Sequence, residues 1–442
     1  MLTREQARKL TERILSFSKF EDCSISIAET ERAHIRFANN AVTTSGLAVD
    51  REITISSTRD ARTGTVQVSD SDESSLKAAV AQSEHIAMIS PVNQEHVEPL
   101  GPQNYAELPP PDEATANARG PVLVERVRAV IKRAAKDKLV AAGLMSRTAA
   151  VSVIANKAGN FGYRTSADAA LSTTIRRPDG ASSGWASKPS SRIADIRGGE
   201  VGDRASEKCL RWMKPVRLEP GRYEVVLEPT AVSDLLDRFG LFQMQARAAE
   251  EGRSPFARTG GGSVLGEKMF PELVTLRSDP FDARYPGMLW SAAGIPNRRV
   301  TWIDKGVVRE LWYDRYWGKK NGREPTPTPA FLFLEGGNAN VDNLIAATKR
   351  GLLVTRFWYI RPVNPRTGQQ TGLTRDGLFL IENGKVTQPV VNMRFNESAF
   401  RLLQNVKQLG RPVRCRGGEG SGMIAPAMRA SDFNFTSISD AI

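Results

Sequence analysis

At 442 residues, with 40% hydrophobic and 25% charged side chains, the sequence has the composition of a folded globular protein of two or three domains, not a disordered or fibrous one. It contains no run of about 18 apolar residues, so no membrane-spanning helix is expected. The formal charge of +12 favours acidic partners, nucleic acid included, yet the basic residues are dispersed along the chain.

The charged start, Met1 to Leu10, lacks the apolar segment of a secretory signal. Cys23, Cys209 and Cys415 lie too far apart to suggest a disulfide framework or a zinc ribbon. Both features lead us to expect a protein of the cytoplasm.

Thr3, with Gln6 at the capping-box position, opens a predicted helix over 3–19. Alternating stretches at 23–28, 33–38, 49–57 and 65–68 predict strands of a half-exposed antiparallel sheet, and 73–88 a second helix. These make a first domain over 1–90. A Pro-rich linker follows over 91–120, with Pro109, Pro110 and Pro111 in succession. Pro121 then starts a basic amphipathic helix expected to end near Gly143. That helix and the strands after it (121–220) complete the first domain or bridge to the next.

Residues 221–442 are mostly strand-like, with hairpin signals at Asp304-Lys305-Gly306 and at Asn383-Gly384, where both turn residues tolerate positive φ. No βαβ alternation is sustained. The expected fold class is α+β, with a helix–antiparallel sheet–helix domain and a larger, mostly antiparallel, barrel-like C-terminal domain.

The three histidines, His34, His85 and His96, all precede the end of the linker, and no two have the i, i+4 spacing of helical metal ligands. A zinc hydrolase needs two or three imidazoles or carboxylates around one ion and an open position for water. The glycine run 259–263 lacks the lysine of a phosphate loop, and 417–422 leads into Met423-Ile424-Ala425-Pro426 instead of a helix, with Glu419 placed to repel phosphate. Ser421 has neither the frame of a nucleophile elbow nor a later histidine as base. The cluster Trp302, Trp312, Tyr313, Tyr316 and Trp317 suits base stacking, an interface or core packing.

Several blocks, in order, resemble the TldD/TldE (PmbA, "modulator of DNA gyrase") family. They are Arg-Asp-Ala-Arg-Thr-Gly at 59–64, the acidic helix start at 69–76, Gly-Arg-Tyr-Glu-Val-Val-Leu-Glu-Pro at 221–229, Gly-Leu-Leu-Val at 351–354, Asn-Pro-Arg-Thr-Gly at 364–368 and the block 377–385. The resemblance implies a two-domain subunit, a homodimer or a heterodimer with a TldD-like subunit around an enclosed chamber, and action on unfolded or extended peptides. It also implies zinc in a TldD-type partner, held by an H-E-x-x-x-H helix and a later cysteine.

Aligned on Leu235-Leu236, the equivalent helix here puts Asp237 and Phe242 where the histidines belong, and Arg238 where the glutamate belongs. Cys415 falls near the cysteine ligand. One thiolate does not hold a catalytic zinc, and a unit cation about 4 Å from a divalent ion costs on the order of 8 kcal/mol at an effective dielectric of about 20. The resemblance therefore implies a TldE-type subunit with no cofactor of its own, supporting proteolysis by a zinc-bearing partner. Two alternatives stay open: a self-sufficient metallopeptidase using Glu228, Asp234, Asp237 and Cys415, and a basic homodimeric scaffold.

Overall fold

The computed structural model describes residues 1–237, 239–418, 420 and 422–439. Its first sheet takes β1 (Asp22–Ala38), β2 (Ala41–Arg59), β3 (Arg62–Val68), β4 (Val140–Asn156), β5 (Phe161–Arg176) and β6 (Ser183–Ser190) in the order β3-β2-β1-β4-β5-β6, all antiparallel. One face is covered by helices: α1 (Arg4–Phe17), α2 (Glu73–Ile89), α3 (Glu113–Ala116), α4 (Gly120–Lys136) and α5 (Gly198–Arg211). Thr3 caps α1 in the capping box that the sequence predicts.

β1 serves two cores at once. Cys23, Ile25 and Ile27 pack with α1 and α2, while Ala33, Ile35 and Phe37 pack with α4 and α5. Between them the same face carries Glu29 and Glu31, so a sequence that looks like two short strands is one long strand crossing a charged seam. Glu29 pairs with Arg51 at 3.1 Å, and Glu31 with Arg147 at 2.7 Å and Arg119 at 2.9 Å. Buried acids persist there because each has a guanidinium partner.

The basic helix is shorter than the sequence suggests. It stops at Lys136, Lys138 takes a φ of 55°, and Gly143 already lies in β4, because the alternation of β4 begins at Val140. A Cβ on Gly143 would strike the Ser172 carbonyl of the neighbouring strand, a close approach that favours glycine.

The rest of the chain contributes β7 (Gly221–Leu227), β8 (Leu276–Ser278), β9 (Val300–Asp304), β10 (Val307–Val308), β11 (Leu332–Leu334), β12 (Arg350–Val354) and β13 (Phe357–Asn364). It continues with β14 (Gln369–Thr374), β15 (Leu378–Glu382), β16 (Lys385–Pro389), β17 (Met393–Ser398), β18 (Val406–Leu409), β19 (Val413–Cys415), β20 (Met423–Ala425) and β21 (Met428–Ile438). One sheet runs β10-β9-β8-β11-β20-β19, the other β13-β14-β17-β21-β7-β12-β15-β16 with β18 added on β21.

Pairing is antiparallel except for β7 with β12 and β11 with β20. The mixed α/β class and the strand-rich second part match the sequence reading. The described sheets stay open and none closes into a barrel, since β13 and β16, and likewise β10 and β19, end their sheets unjoined. Both hairpins form with positive φ at Lys305-Gly306 and Asn383-Gly384.

One large core joins these two sheets to α6 (Pro229–Leu236) and α7 (Phe239–Gln243). Trp302, Tyr313 and Trp317 are buried in it, and Trp312 and Tyr316 pack against it, so the aromatic cluster is core packing. Among the described residues no helix is long and apolar enough to cross a membrane.

Candidate functional site

α6 leaves the end of β7, with Pro229 in its first turn, where a missing N–H costs nothing. Its buried face, Ala231, Val232, Leu235 and Leu236, anchors it in the large core and aims Asp234 and Asp237 at the chain around β19 and β20. The buried Asp234 carboxylate accepts the Phe357 amide at 3.0 Å through Oδ2. Asp237 Oδ1 accepts the Gly422 amide at 3.1 Å. The glycines of 417–422 allow this contact: a Cβ on Gly417 would fall on the Asp234 carboxylate, and one on Gly420 would lie 2.6 Å from Asp237. That loop therefore closes over two acids; Glu419 and Ser421 lie outside the described residues.

Cys415 sits under the same loop, 6% exposed, its Sγ 3.2 Å from the Pro229 carbonyl and 3.5 Å from that of Met423. Burial pushes its thiol up to about 12, and the nearby Asp234 charge pushes the same way. At neutral pH it is a protonated thiol facing carbonyl oxygens, not a thiolate.

The structure thus brings Asp234, Asp237 and Cys415 to one place. Phe242 stands on α7 with 63% of its surface exposed, and Arg238 lies outside the described residues. Glu228 pairs with Lys208 at 2.7 Å. The histidines belong to the first part of the chain: His34 on β1, His85 on α2, and His96 beside a separate cleft. Around α6 the donors are two carboxylates that cap backbone amides and one buried thiol held against carbonyl oxygens, without the two or three imidazoles or carboxylates converging on one point that a catalytic zinc takes. Among the described residues no three His, Cys, Asp or Glu side chains are grouped to hold a metal ion.

Beside the glycine loop lies a cleft of about 400 Å³ that single-sequence patterning does not reveal. Arg356, 5% exposed, lies over the rings of Trp185 from β6 (4.6 Å) and Trp358 from β13 (5.1 Å). Its Nε is 3.2 Å from Asp376, whose other oxygen accepts from Ser183 Oγ at 2.7 Å. Cation–π contacts of this kind contribute roughly 1–2 kcal/mol when desolvated. The one available signal is the run Arg356-Phe357-Trp358-Tyr359, one residue beyond the 351–354 block.

Residues 220–437 match the model of the PmbA/TldA metallopeptidase C-terminal domain, and 23–87 that of PmbA/TldA metallopeptidase domain 1. The chain belongs to the PmbA/TldD family. A "Metalloprotease" of Methanothermobacter thermautotrophicus is 24% identical over 233 residues, 49% of this chain and 48% of that protein, so the match spans about half the relative's length.

The fold is that of TldE from Thermococcus kodakarensis, with a TM-score of 0.87 at 19% identity over 97% of this chain and 100% of the other. A structure described as a putative modulator of DNA gyrase from Bacteroides thetaiotaomicron superposes with a TM-score of 0.85 at 22% identity, over 99% and 100% of the two chains.

Proposed function

We propose that this PmbA/TldD-family chain is a TldE-type, non-catalytic subunit that shapes a peptide-binding chamber and supports cleavage of extended peptides by a zinc-bearing TldD-type partner. The observation that carries the proposal is the α6 site, where two carboxylates cap amides beside a protonated thiol and no imidazole is near. Asp237 and Phe242 stand in for the metal histidines, and Arg238 for the general base.

An extended peptide would be gripped as an added strand. The edge strands β6 and β19 fit this role, since β6 lines the Trp185–Arg356–Trp358 cleft and β19 leads into it.

The first sheet offers a place for the second subunit. Among the described residues, 41–52 of β2 pair only with β1, and β3 joins from Ile53 onward. Val42, Leu47 and Val49 are exposed along that edge, a ready template for another chain. Three free, buried cysteines fit a cytoplasmic setting.

The test is reconstitution of protein purified without chelator. We expect less than stoichiometric zinc and no cleavage of unfolded casein by this chain alone, and cleavage once a TldD-type subunit from the same source is added. Stoichiometric zinc with cleavage by the chain alone would overturn the proposal in favour of a self-sufficient metallopeptidase.

A further inference from the structure

A second cavity, of about 490 Å³, opens between the first sheet and the strand-rich part. Its floor is the outer face of β5, its roof the loop carrying Phe281, Tyr285 and Pro286, and its side the proline run 109–111. The chemistry is uneven. Most of the wall is apolar, yet three arginines, Arg164, Arg192 and Arg414, line it together with two carboxylates, Asp112 and Asp168.

Arg414 is satisfied by Asp168 at 2.7 Å and stacks over Tyr285 at 4.5 Å. Arg164 is not. It is 7% exposed, its Nη2 donates to the Pro286 carbonyl at 3.2 Å, and its Nη1 is buried without an acceptor. Among the described residues no carboxylate pairs with it, and burial alone lowers its pKa to about 10. A guanidinium held in an apolar wall without a counter-charge is costly unless an anion completes it. The cavity is linked to the α6 site through β19, whose Arg414 lines the cavity and whose next residue, Cys415, lies against the Pro229 carbonyl at the start of α6.

We propose that this cavity binds the C-terminal carboxylate of a peptide, with Arg164 as its counter-charge and the proline and Phe281 walls around the last side chain. The inference rests on the peptide-binding reading above and adds the feature recognised, a free chain end. A carboxylate is favoured over phosphate because the apolar wall suits a side chain joined to the charge, and because the neighbouring Asp168 repels a dianion more than a monoanion. Planar pairing of guanidinium with carboxylate gives the contact its selectivity.

The experiment measures binding of the full chain, without partner, to a fluorescein-labelled hexapeptide ending in leucine, prepared as free acid and as C-terminal amide. The free acid is expected to bind about tenfold tighter or more, a gap of about 1.4 kcal/mol. Arg164→Met should reduce the gap to within about twofold while the amide binds as before. Asp168→Asn, which removes a carboxylate from the cavity wall and frees Arg414, should widen the gap and covers the case in which Arg164→Met does not fold.

Equal binding of acid and amide by the unaltered chain overturns this inference and leaves the peptide-binding reading standing. Failure of both peptides to bind overturns the two together. Displacement of the free acid by inorganic phosphate at a matching concentration overturns the choice of a peptide carboxylate.

Discussion

Arg147 and Arg164 sit on adjacent strands of one sheet, facing opposite sides, and both guanidinium groups are buried. Arg147 is fully enclosed on the helix side, with Glu31 at 2.7 Å and the Ala118 carbonyl accepting from Nε and Nη2 at 3.1 and 2.8 Å. Arg164 faces the strand-rich part with one carbonyl acceptor and, among the described residues, no carboxylate. The first is a structural charge, completed by its own chain. The second is a charge left for something else to complete. Both are buried, Arg147 completely and Arg164 to 7% exposure, and it is the inventory of partners that tells them apart.

The largest effect should come from removing the partner that Arg147 has. Glu31→Gln keeps the side-chain shape but leaves a fully buried cation unneutralised, and we expect a loss of about 3 kcal/mol in urea denaturation. Adding Arg147→Met to that variant should recover most of the loss, since a buried pair replaced by apolar groups is often neutral. If Glu31→Gln unfolds at the unaltered midpoint, Arg147 is not held by its counter-charge and the contrast with Arg164 disappears.

The same contrast bears on what the sequence discloses. Strong alternation made the first sheet legible, and Asn383-Gly384 specified its hairpin through positive φ. The four polar residues 29–32 hid the continuity of β1, because two of them are acids in core positions whose arginine partners lie on other strands. The end of α4 is hidden in the sequence because helix-favouring Ala141 and Ala142 already belong to β4.

At the site, the helix carrying Asp234 and Asp237 and its nearness to Cys415 were readable from ordered blocks. The Trp185–Arg356–Trp358 stack and the Arg164 cavity were not. Each gathers residues far apart in the chain, and no local period encodes such a meeting.

Cys415 offers a smaller test of the protonated-thiol site. Its folded pKa lies above the value of an unfolded thiol, near 8.5. The folded state therefore binds the thiol proton more tightly, so its contribution to stability is fully present below that value and lost as pH rises toward about 12. Unfolding free energies of the unaltered chain in urea should fall between pH 8 and pH 9.5, by about 1.2 kcal/mol from this group. Burial raises Cys23 and Cys209 too, so they add to the fall. Cys415→Ala should lack its own share. An unchanged slope would place a thiolate beside Asp234 and reopen metal binding there.

The smallest expected change is the one that isolates Arg164. Its pKa is lowered by burial, so at neutral pH the charged guanidinium opposes folding, and the penalty fades only as pH rises through about 10. Arg164→Met keeps the apolar stem against Pro286 and removes the unneutralised charge at the cost of one hydrogen bond to a carbonyl. These terms nearly offset, and we expect a stability between unchanged and about 1 kcal/mol higher at pH 7. A loss beyond about 1 kcal/mol would mean that the guanidinium already has in this fold what it needs. Arg164 would then be a strut like Arg147, and the cavity would have no charge to offer a ligand.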